Sequence, residues 1–276
     1  MLCINYTYYN NPELLKEVVD YYEPFSNDSN FSFTIIDDGS QDDPLTLDMI
    51  PDSWTALRVT EDHGWGNEIC RNILMRTTPY RWNALMDLDY VICLQEQETY
   101  DALATNFPKY YHFMYDVPIV FQFEKGRRHA YNDITKVDDL DESSPGFVSI
   151  NSFIVSKVLW NEKTFGYDMA FKWTYGYDFT FFQQIQKEIL IPDTRVKKLA
   201  LQATKNRPDP KDLAAFKDFF ELQKEYIDKG LYKMFTTKSG TAIQTKGMWI
   251  SPEARLEHCC DWPEVVDLRT EKRVAI

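Results

Sequence analysis

Two pairs of carboxylates in the sequence follow directly after apolar, β-prone segments. Asp37 and Asp38 follow one such segment, and Asp87 and Asp89 follow another, Trp82–Met86. In an extended Asp-x-Asp segment both side chains lie on one face, so they can bind one Mg²⁺ or Mn²⁺ together with a diphosphate that the cation carries. Aspartate is also common in turns, so an Asp-x-Asp sequence alone is weak evidence for a metal site. It is supported here by the first carboxylate pair and by the strands and helices predicted around the two pairs.

These elements predict a parallel β-sheet. The predicted strands are Leu2–Thr7, Phe31–Ile36, Ala56–Thr60 and Trp82–Met86, and the predicted helices between them are Pro12–Tyr22 and Gly66–Thr77. Alternating strands and helices are typical of βαβ units. Ligands of an open parallel sheet bind beyond the carboxyl ends of its strands, which is where both carboxylate pairs stand.

The second half of the sequence is less regular. We predict strands at 117–123 and 148–155 and helices at 179–189 and 209–229. Residues 236–247 are small and polar, and we expect them to form a mobile connection.

Charge is distributed unevenly along the 276 residues, whose formal net charge is −13. Residues 1–120 contain 20 acidic and 6 basic side chains, whereas residues 195–246 contain 6 acidic and 12 basic ones. The acidic part does not suit a polyanion, but it suits a hard divalent cation.

The remaining composition excludes several kinds of site. With only 10 glycines, the sequence has neither a P-loop nor a complete dinucleotide-binding fingerprint. Its five cysteines are scattered without zinc-ligand spacing, so we expect reduced thiols. We also expect a cytoplasmic protein, because the sequence starts in a β-prone segment and contains no apolar run of membrane-spanning length.

Five segments, taken in order, resemble motifs of the GT-A nucleotide-sugar glycosyltransferases, especially those of the large inverting family 2. Residues 3–12 resemble the opening strand and P-T-Y-N turn, 36–42 the D-D-G-S-x-D motif, 64–72 the G-x-G-x-A-R-N helix, 87–89 the D-x-D motif, and 173–178 the G-x-E-D segment. The resemblance covers roughly residues 1–190. It implies an α/β GT-A fold, which is a Rossmann-like, mostly parallel central sheet flanked by helices, with a helical or irregular C-terminal extension.

The resemblance also implies a domain organisation and a reaction. We expect a catalytic domain at 1–192, with a donor and metal half at 1–115 and an acceptor half at 116–192, and a helical extension at 193–276 packed on it. The implied reaction is a metal-dependent, inverting transfer of a sugar from a nucleotide sugar, commonly a UDP-sugar, to a hydroxyl of a saccharide or another acceptor.

The donor contacts implied by the resemblance fall on Thr7, Tyr8, Tyr9, Asn10, Asp37, Asp38, Arg71 and Asp87. Asp37 or Asp38 would accept a hydrogen bond from the base, and Arg71 would reach a phosphate. Thr7 stands where the family has Pro, but that donor contact is made by the backbone. The implied ligands of Mn²⁺ or Mg²⁺ are Asp87, Asp89 and His258.

The implied catalytic base is Asp178, which would take the proton from the attacking acceptor hydroxyl. Tyr177 stands in the place of the family's Glu and leaves Asp178 as the only carboxylate of that segment. The implied acceptor-binding residues are Trp173, Tyr175, Gly176, Tyr177, Arg127 and Arg128, with Trp173 the best candidate for stacking on a sugar face.

Plainer roles remain open for several of these residues. Asp38 could organise the turn around Gly39, Asp178 could cap a helix, Arg71 could form a structural ion pair, and His258 could be packed beside Cys259.

Three other functions also remain open. Lys197, Lys198, Lys205 and Arg207 could contact a DNA acceptor with hydroxymethylated bases, as certain viral glycosyltransferases modify. A sugar-nucleotide nucleotidyltransferase shares the sheet and the metal chemistry. Tyr177 also leaves room for an inactive carbohydrate-binding relative.

Overall fold

The computed structural model describes residues 1–62, 67–106, 119–127, 148–163, 166–167, 181, 190–201, 213–238, 244–250 and 262–276. Its strands are β1 Leu2–Tyr8, β2 Phe31–Asp37, β3 Thr55–Val59, β4 Trp82–Asp87, β5 Tyr90–Ile92, β6 Ile119–Arg127, β7 Val148–Ser156, β8 Leu190–Ala200, β9 Tyr232–Lys238, β10 Gln244–Ile250, β11 Val265–Asp267 and β12 Lys272–Arg273. Its α-helices are α1 Pro12–Tyr22, α2 Asn67–Thr77, α3 Gln97–Asp101, α4 Lys157–Lys163 and α5 Leu213–Asp228.

One mixed sheet organises the described part of the chain. Its strand order is β12-β11-β3-β2-β1-β4-β7-β6-β8-β5, while β9 and β10 form a separate antiparallel pair. The strands β3, β2, β1 and β4 are parallel to one another. The α/β class is therefore confirmed, and both carboxylate pairs stand at the ends of strands of this parallel group, β2 and β4.

The central strand β1 is buried because both faces of the sheet are covered. On one face, Tyr6 and Tyr8 belong to a core cluster with Leu14, Leu15 and Val18 of α1. On the other, α2 packs its apolar side against residues of β2 and β3. Helix α1 begins where the sequence predicts, since Asn11 accepts a hydrogen bond from Leu14 N and Pro12 occupies the first turn.

The register of the parallel strands brings their carboxyl ends to one edge. Tyr8 at the end of β1 lies opposite Asp37 at the end of β2. Thr7 lies opposite Asp87 at the end of β4. The loops that follow β1, β2, β3 and β4 therefore meet at this edge of the sheet.

The C-terminal part of the chain contributes strands to the same sheet. The boundary at residue 192 falls inside β8, which pairs with both β6 and β5. Residues 265–267 return to the sheet as β11, antiparallel to β3. Sequence alone did not indicate this because β11 is only three residues long.

Three further expectations have different outcomes. Helix α5 is present and is followed by Gly230, whose φ of +73° suits the end of a helix. Of the mobile connection expected at 236–247, residues 236–238 and 244–247 instead belong to the paired strands β9 and β10, and 239–243 lie outside the described residues. The helix predicted at 179–189 lies outside the described residues except for Phe181.

Candidate functional site

The loops after β1 and β2 are joined through Asn10. Its side-chain oxygen accepts hydrogen bonds from the backbone nitrogens of Asp42, at 3.2 Å, and Asp43, at 3.0 Å. Its own backbone nitrogen donates to Oγ of Ser40 at 2.9 Å. Asn10 adopts a φ of +44°, a conformation that asparagine tolerates better than most residues. The amide oxygen of Asn10 therefore holds the two loops together. Any contact of this residue with a nucleotide sugar would have to involve its other atoms.

Asp37 organises the loop that follows it. Its carboxylate is fully buried, and it accepts hydrogen bonds at 2.9 Å from Ser40 N, Leu45 N and Arg58 Nε. Because these bonds engage both carboxylate oxygens, Asp37 is committed to its own loop.

Asp38 is also buried, and it lies against α2. The Cys70 thiol donates a hydrogen bond to its carboxylate, and burial raises the pKa of this thiol well above its ordinary value, with Asp38 adding to the effect. Gly39 follows with a φ of +71°, and a Cβ at this position would lie 2.7 Å from the Glu61 carbonyl carbon. The turn after β2 therefore packs tightly against the loop after β3.

The two tyrosines that follow one another at the end of β1 differ in exposure. Tyr8 is buried, and its hydroxyl donates to the Asp43 carbonyl at 2.6 Å. Burial raises the pKa of Tyr8 to about 12. Tyr9 is half-buried, and its hydroxyl lies 3.3 Å from both carboxylate oxygens of Asp62. Tyr9 is thus the tyrosine of this turn that a ligand can reach. Thr7 is also half-buried, and within the described residues its hydroxyl has no hydrogen-bond partner.

Asp87 lies at the carboxyl end of β4 with one carboxylate oxygen held in place. Oδ1 accepts hydrogen bonds from Asn67 Nδ2 at 2.8 Å and from Arg71 Nη2 at 2.6 Å. Its backbone nitrogen donates to Oγ of Ser152 at 3.2 Å. The side chain remains 23% exposed, whereas that of Arg71 is 1% exposed. The ion pair that sequence left open for Arg71 is therefore formed, and its partner is the first carboxylate of the Asp-x-Asp sequence.

The Asp-x-Asp sequence spans the end of a strand and a turn. Leu88 and Asp89 form the turn between β4 and β5, so strand alternation does not set the direction of the second carboxylate. The burial pattern nevertheless alternates, because Leu88 is in the core while Asp87 and Asp89 are half-buried.

The donor set at this turn fits a cation that also binds a substrate. Magnesium-type ions are commonly held by one or two carboxylates together with substrate phosphates. Within the described residues, no group of three or more His, Cys, Asp or Glu side chains is arranged to hold a metal. A cation held by Asp87 and Asp89 would therefore need further oxygen ligands from a substrate, from water or from residues outside the described ranges.

Three residues of this site were not found by sequence reasoning. Asn67 holds Asp87, Ser152 accepts from the Asp87 backbone, and the Tyr167 hydroxyl accepts from Arg71 Nη1 at 2.6 Å. Asn67 follows the glycine pair at 64–66 and could have been suspected from that position. No sequence signal distinguishes Tyr167 from the other 16 of the 17 tyrosines.

The basic residues proposed for a DNA acceptor do not form an exposed patch where they are described. Lys198 is fully buried, donates to the Ser152 carbonyl at 3.2 Å and lies over the Tyr90 ring. Lys197 pairs with Glu96 at 3.4 Å. Lys205 and Arg207 lie outside the described residues.

Most expected catalytic and acceptor residues lie outside the described ranges: Asp178, His258, Trp173, Tyr175, Gly176, Tyr177 and Arg128. Arg127 is the last residue of β6. In the part of the chain that the structure describes, no helix has the length and apolar character needed to cross a membrane.

Comparison with known proteins shows similarity at the level of structure only. No family model and no curated protein matches the sequence. Staphylococcus aureus TarS 1–349 matches with a TM-score of 0.50 and 16% identity, over 72% of this chain and 60% of that chain. The chain thus spans less than two thirds of the TarS structure.

A second match covers nearly the whole chain. Glucosyl-3-phosphoglycerate synthase from Mycobacterium tuberculosis, in complex with Mn²⁺, UDP and phosphoglyceric acid, matches with a TM-score of 0.51 and 13% identity. The match covers 99% of this chain and 91% of that one. At this identity the likeness shows the fold, and the chain has the GT-A fold that its motifs predict.

Proposed function

We propose that this protein is a metal-dependent glycosyltransferase that moves a sugar from a nucleotide sugar to an acceptor hydroxyl with inversion. The observation that carries the proposal is the arrangement at Asp87. Asn67 and Arg71 hold one of its carboxylate oxygens, at the edge where the parallel strands of a GT-A fold end. The donor is proposed to be a UDP-sugar.

The charges of the site support this chemistry. Asp87 and Asp89 would hold Mn²⁺ or Mg²⁺, and that cation would neutralise the departing diphosphate. Arg71 fixes Oδ1 of Asp87, so its guanidinium orients the carboxylate and lies beside the expected position of the phosphates. The glucosyl-3-phosphoglycerate synthase that matches over nearly the whole chain was solved with Mn²⁺ and UDP.

The nucleoside is proposed to lie at the turn after β1. Tyr9 is accessible there, and its hydroxyl is fixed by Asp62. Asn10 and Asp37 contribute indirectly, because they hold the loops that shape this pocket. Asp38 remains the carboxylate proposed to meet the base.

The chemical step is assigned to a residue outside the described ranges. Asp178 is proposed to accept the proton of the acceptor hydroxyl as that oxygen attacks the anomeric carbon from the face opposite the diphosphate. His258 is proposed as a further metal ligand, and Trp173 as a platform for the acceptor sugar.

A saccharide or another small hydroxyl compound is the proposed acceptor. The described residues give no support to DNA, since Lys198 is buried and Lys197 is paired with a glutamate. A cytoplasmic location is proposed because Cys3, Cys70 and Cys93 are free, buried thiols.

Donor hydrolysis and thermal protection test this function. The purified protein is mixed with Mn²⁺ and a panel of UDP- and GDP-sugars, and both nucleoside diphosphate release and melting temperature are measured. We expect one donor to be hydrolysed slowly and to raise the melting temperature, and EDTA to remove both effects. Asp89→Ala should abolish them, whereas the control Asp20→Ala, on the exposed side of α1, should not. If no donor in the panel gives release or protection, the proposal fails.

A further inference from the structure

The Arg71 guanidinium bridges two side chains from distant parts of the chain. Nη2 donates to Oδ1 of Asp87, and Nη1 donates to the hydroxyl of Tyr167, each at 2.6 Å. Arg71 is 1% exposed, so water cannot substitute readily for either partner. The orientation of the guanidinium is therefore set jointly by Asp87 and Tyr167.

Tyr167 is itself held in place by the residue that follows Arg71. The Asn72 side chain accepts from Tyr167 N at 2.9 Å and donates to Tyr167 O at 2.8 Å. These two bonds use both backbone groups of Tyr167. Two adjacent residues of α2 therefore hold Tyr167: Arg71 binds its hydroxyl, and Asn72 binds its backbone.

Gly166 permits this close approach. It has a φ of +87°, and a Cβ there would lie 2.7 Å from Cζ2 of Trp160 and would overlap the Asn72 amide. A residue with a side chain could not bring the backbone so near to α2.

The ring of Tyr167 is packed independently of its hydroxyl. It stacks on Phe181 with a centroid distance of 4.8 Å and lies 6.0 Å from the Trp160 ring, and the Arg71 guanidinium carbon is 5.5 Å from its centre. Removal of the hydroxyl alone would therefore leave the ring in its place. The contribution of the hydroxyl can therefore be measured separately from that of the ring.

We propose that Tyr167 is a positioning residue for donor binding, which acts through Arg71 to hold Oδ1 of Asp87 and so leaves Oδ2 available to bind a cation. This inference rests on the function proposed above. Within the described residues, both side-chain hydrogen bonds to Asp87 fall on Oδ1 and none falls on Oδ2. Without the Tyr167 hydroxyl, Arg71 loses the acceptor of its Nη1 hydrogen bond, and the Asp87 carboxylate loses a rigidly held partner.

The test compares Tyr167→Phe with Tyr22→Phe. Tyr22 is a matched control because it is also fully buried and its hydroxyl also accepts hydrogen bonds from other parts of the chain, from Ile92 N at 2.7 Å and from the Tyr6 hydroxyl at 3.1 Å. Calorimetry measures UDP binding in the presence of Mn²⁺. We expect Tyr167→Phe to weaken this binding about tenfold and Tyr22→Phe to change it by less than about twofold, although both lower the melting temperature.

A merely structural role predicts a different result. In that case both variants would melt at lower temperature and bind UDP with Mn²⁺ as the wild type does, which would overturn the proposal. Arg71→Lys should weaken UDP binding as well, because an ammonium cannot span Asp87 and Tyr167 in the way a guanidinium does.

Failure of the proposed function gives a distinguishable outcome. If the wild type binds no UDP with Mn²⁺, the transferase proposal fails. The coupling of Asp87, Arg71 and Tyr167 is then tested through the melting temperature alone. Tyr167→Phe and Asp87→Asn, measured singly and together, should then lower the melting temperature by less in combination than the two separate losses predict, because both act on Arg71. Additive losses would show that Asp87 and Tyr167 are not coupled through Arg71.

Discussion

Arg58 Nε donates to Oδ2 of Asp37 at 2.9 Å, across the neighbouring strands β3 and β2. The guanidinium also donates from Nη2 to the Leu45 carbonyl. Asp37 is fully buried, whereas the Arg58 side chain is 29% exposed. This arginine therefore compensates a buried charge and at the same time closes the loop that follows β2.

Replacement of Arg58 tests this role. Arg58→Met keeps the length of the side chain but leaves the Asp37 carboxylate buried without its cation, so we expect a loss of about 3 kcal/mol in the free energy of unfolding. Urea unfolding measures the loss. The double variant Arg58→Met with Asp37→Asn should recover part of it, since the amide carries no charge. A loss below about 1 kcal/mol in the single variant would contradict the role given to Arg58.

The turn at Gly39 allows a second prediction with an internal control. Gly39→Ala places a methyl group 2.7 Å from the Glu61 carbonyl carbon and imposes a φ of +71° on an L-residue. Gly230→Ala imposes a similar φ of +73°, but nothing lies within 4 Å of its Cβ. We expect about 1 kcal/mol of destabilisation at Gly230 from the backbone and at least about twice that at Gly39. Equal losses in urea unfolding would mean that the turn is not packed as described.

Alkaline pH should destabilise the protein through Cys70. Burial raises the pKa of this thiol well above its ordinary value of 9.0, and Asp38 and Glu68 act in the same direction. The folded state therefore keeps the proton in the range above pH 9 where the unfolded chain loses it, so stability falls as the pH rises through that range. We expect the melting temperature to decline less steeply between about pH 8.5 and 10.5 in Cys70→Ala than in the wild type. Parallel declines would exclude Cys70 as the cause.

Arg269, between β11 and β12, should stabilise the attachment of these two strands to the segment that precedes β3. It donates from Nε to the Trp54 carbonyl and from Nη2 to the Pro51 carbonyl, each at 2.7 Å. Arg269→Met removes both bonds, and we expect a loss of about 2 kcal/mol in the free energy of unfolding. Arg273→Met on the exposed strand β12 is the matched control and should change stability by less than about 0.5 kcal/mol. Comparable losses in the two variants would show that the hydrogen bonds of Arg269 do not stabilise the fold more than an exposed arginine does.

Asp178 and Asp89 should separate catalysis from donor binding. We expect Asp178→Asn to bind UDP with Mn²⁺ at wild-type affinity but to lose sugar transfer by at least about 10²-fold, because the amide cannot accept the proton. Asp89→Ala should lose the binding itself. Calorimetry and a transfer assay with the active donor distinguish the two variants. Full turnover by Asp178→Asn would refute its assignment as the base.

The sequence predicts the N-terminal part of the fold well because its signals are local. Each of the strands β1 to β4 is a short apolar run, and each of the helices α1 and α2 has a clear period, so the βαβ pattern and the common edge of Asp37 and Asp87 follow directly. The observed bounds of these six elements differ from the predicted ones by no more than one residue at any end.

The contacts that decide the roles of the site residues are not local. Asp37 and Asp38 are identical neighbours in sequence, yet one accepts from Arg58, 21 residues away, and the other accepts from the Cys70 thiol. Tyr167 is 96 positions from Arg71. No periodicity or spacing rule connects residues at such separations, so these roles needed the structure.

The pairing of β11 with β3 has a consequence for biosynthesis. The backbone nitrogen of Thr60 bonds to the carbonyl of Glu264, and 204 positions separate the two residues. While the ribosome makes the chain between them, the outer side of β3 has unpaired amides and carbonyls that can bind strands of other nascent chains. Residues 264–267 close this edge only when they emerge, so premature termination upstream of them would release an aggregation-prone protein.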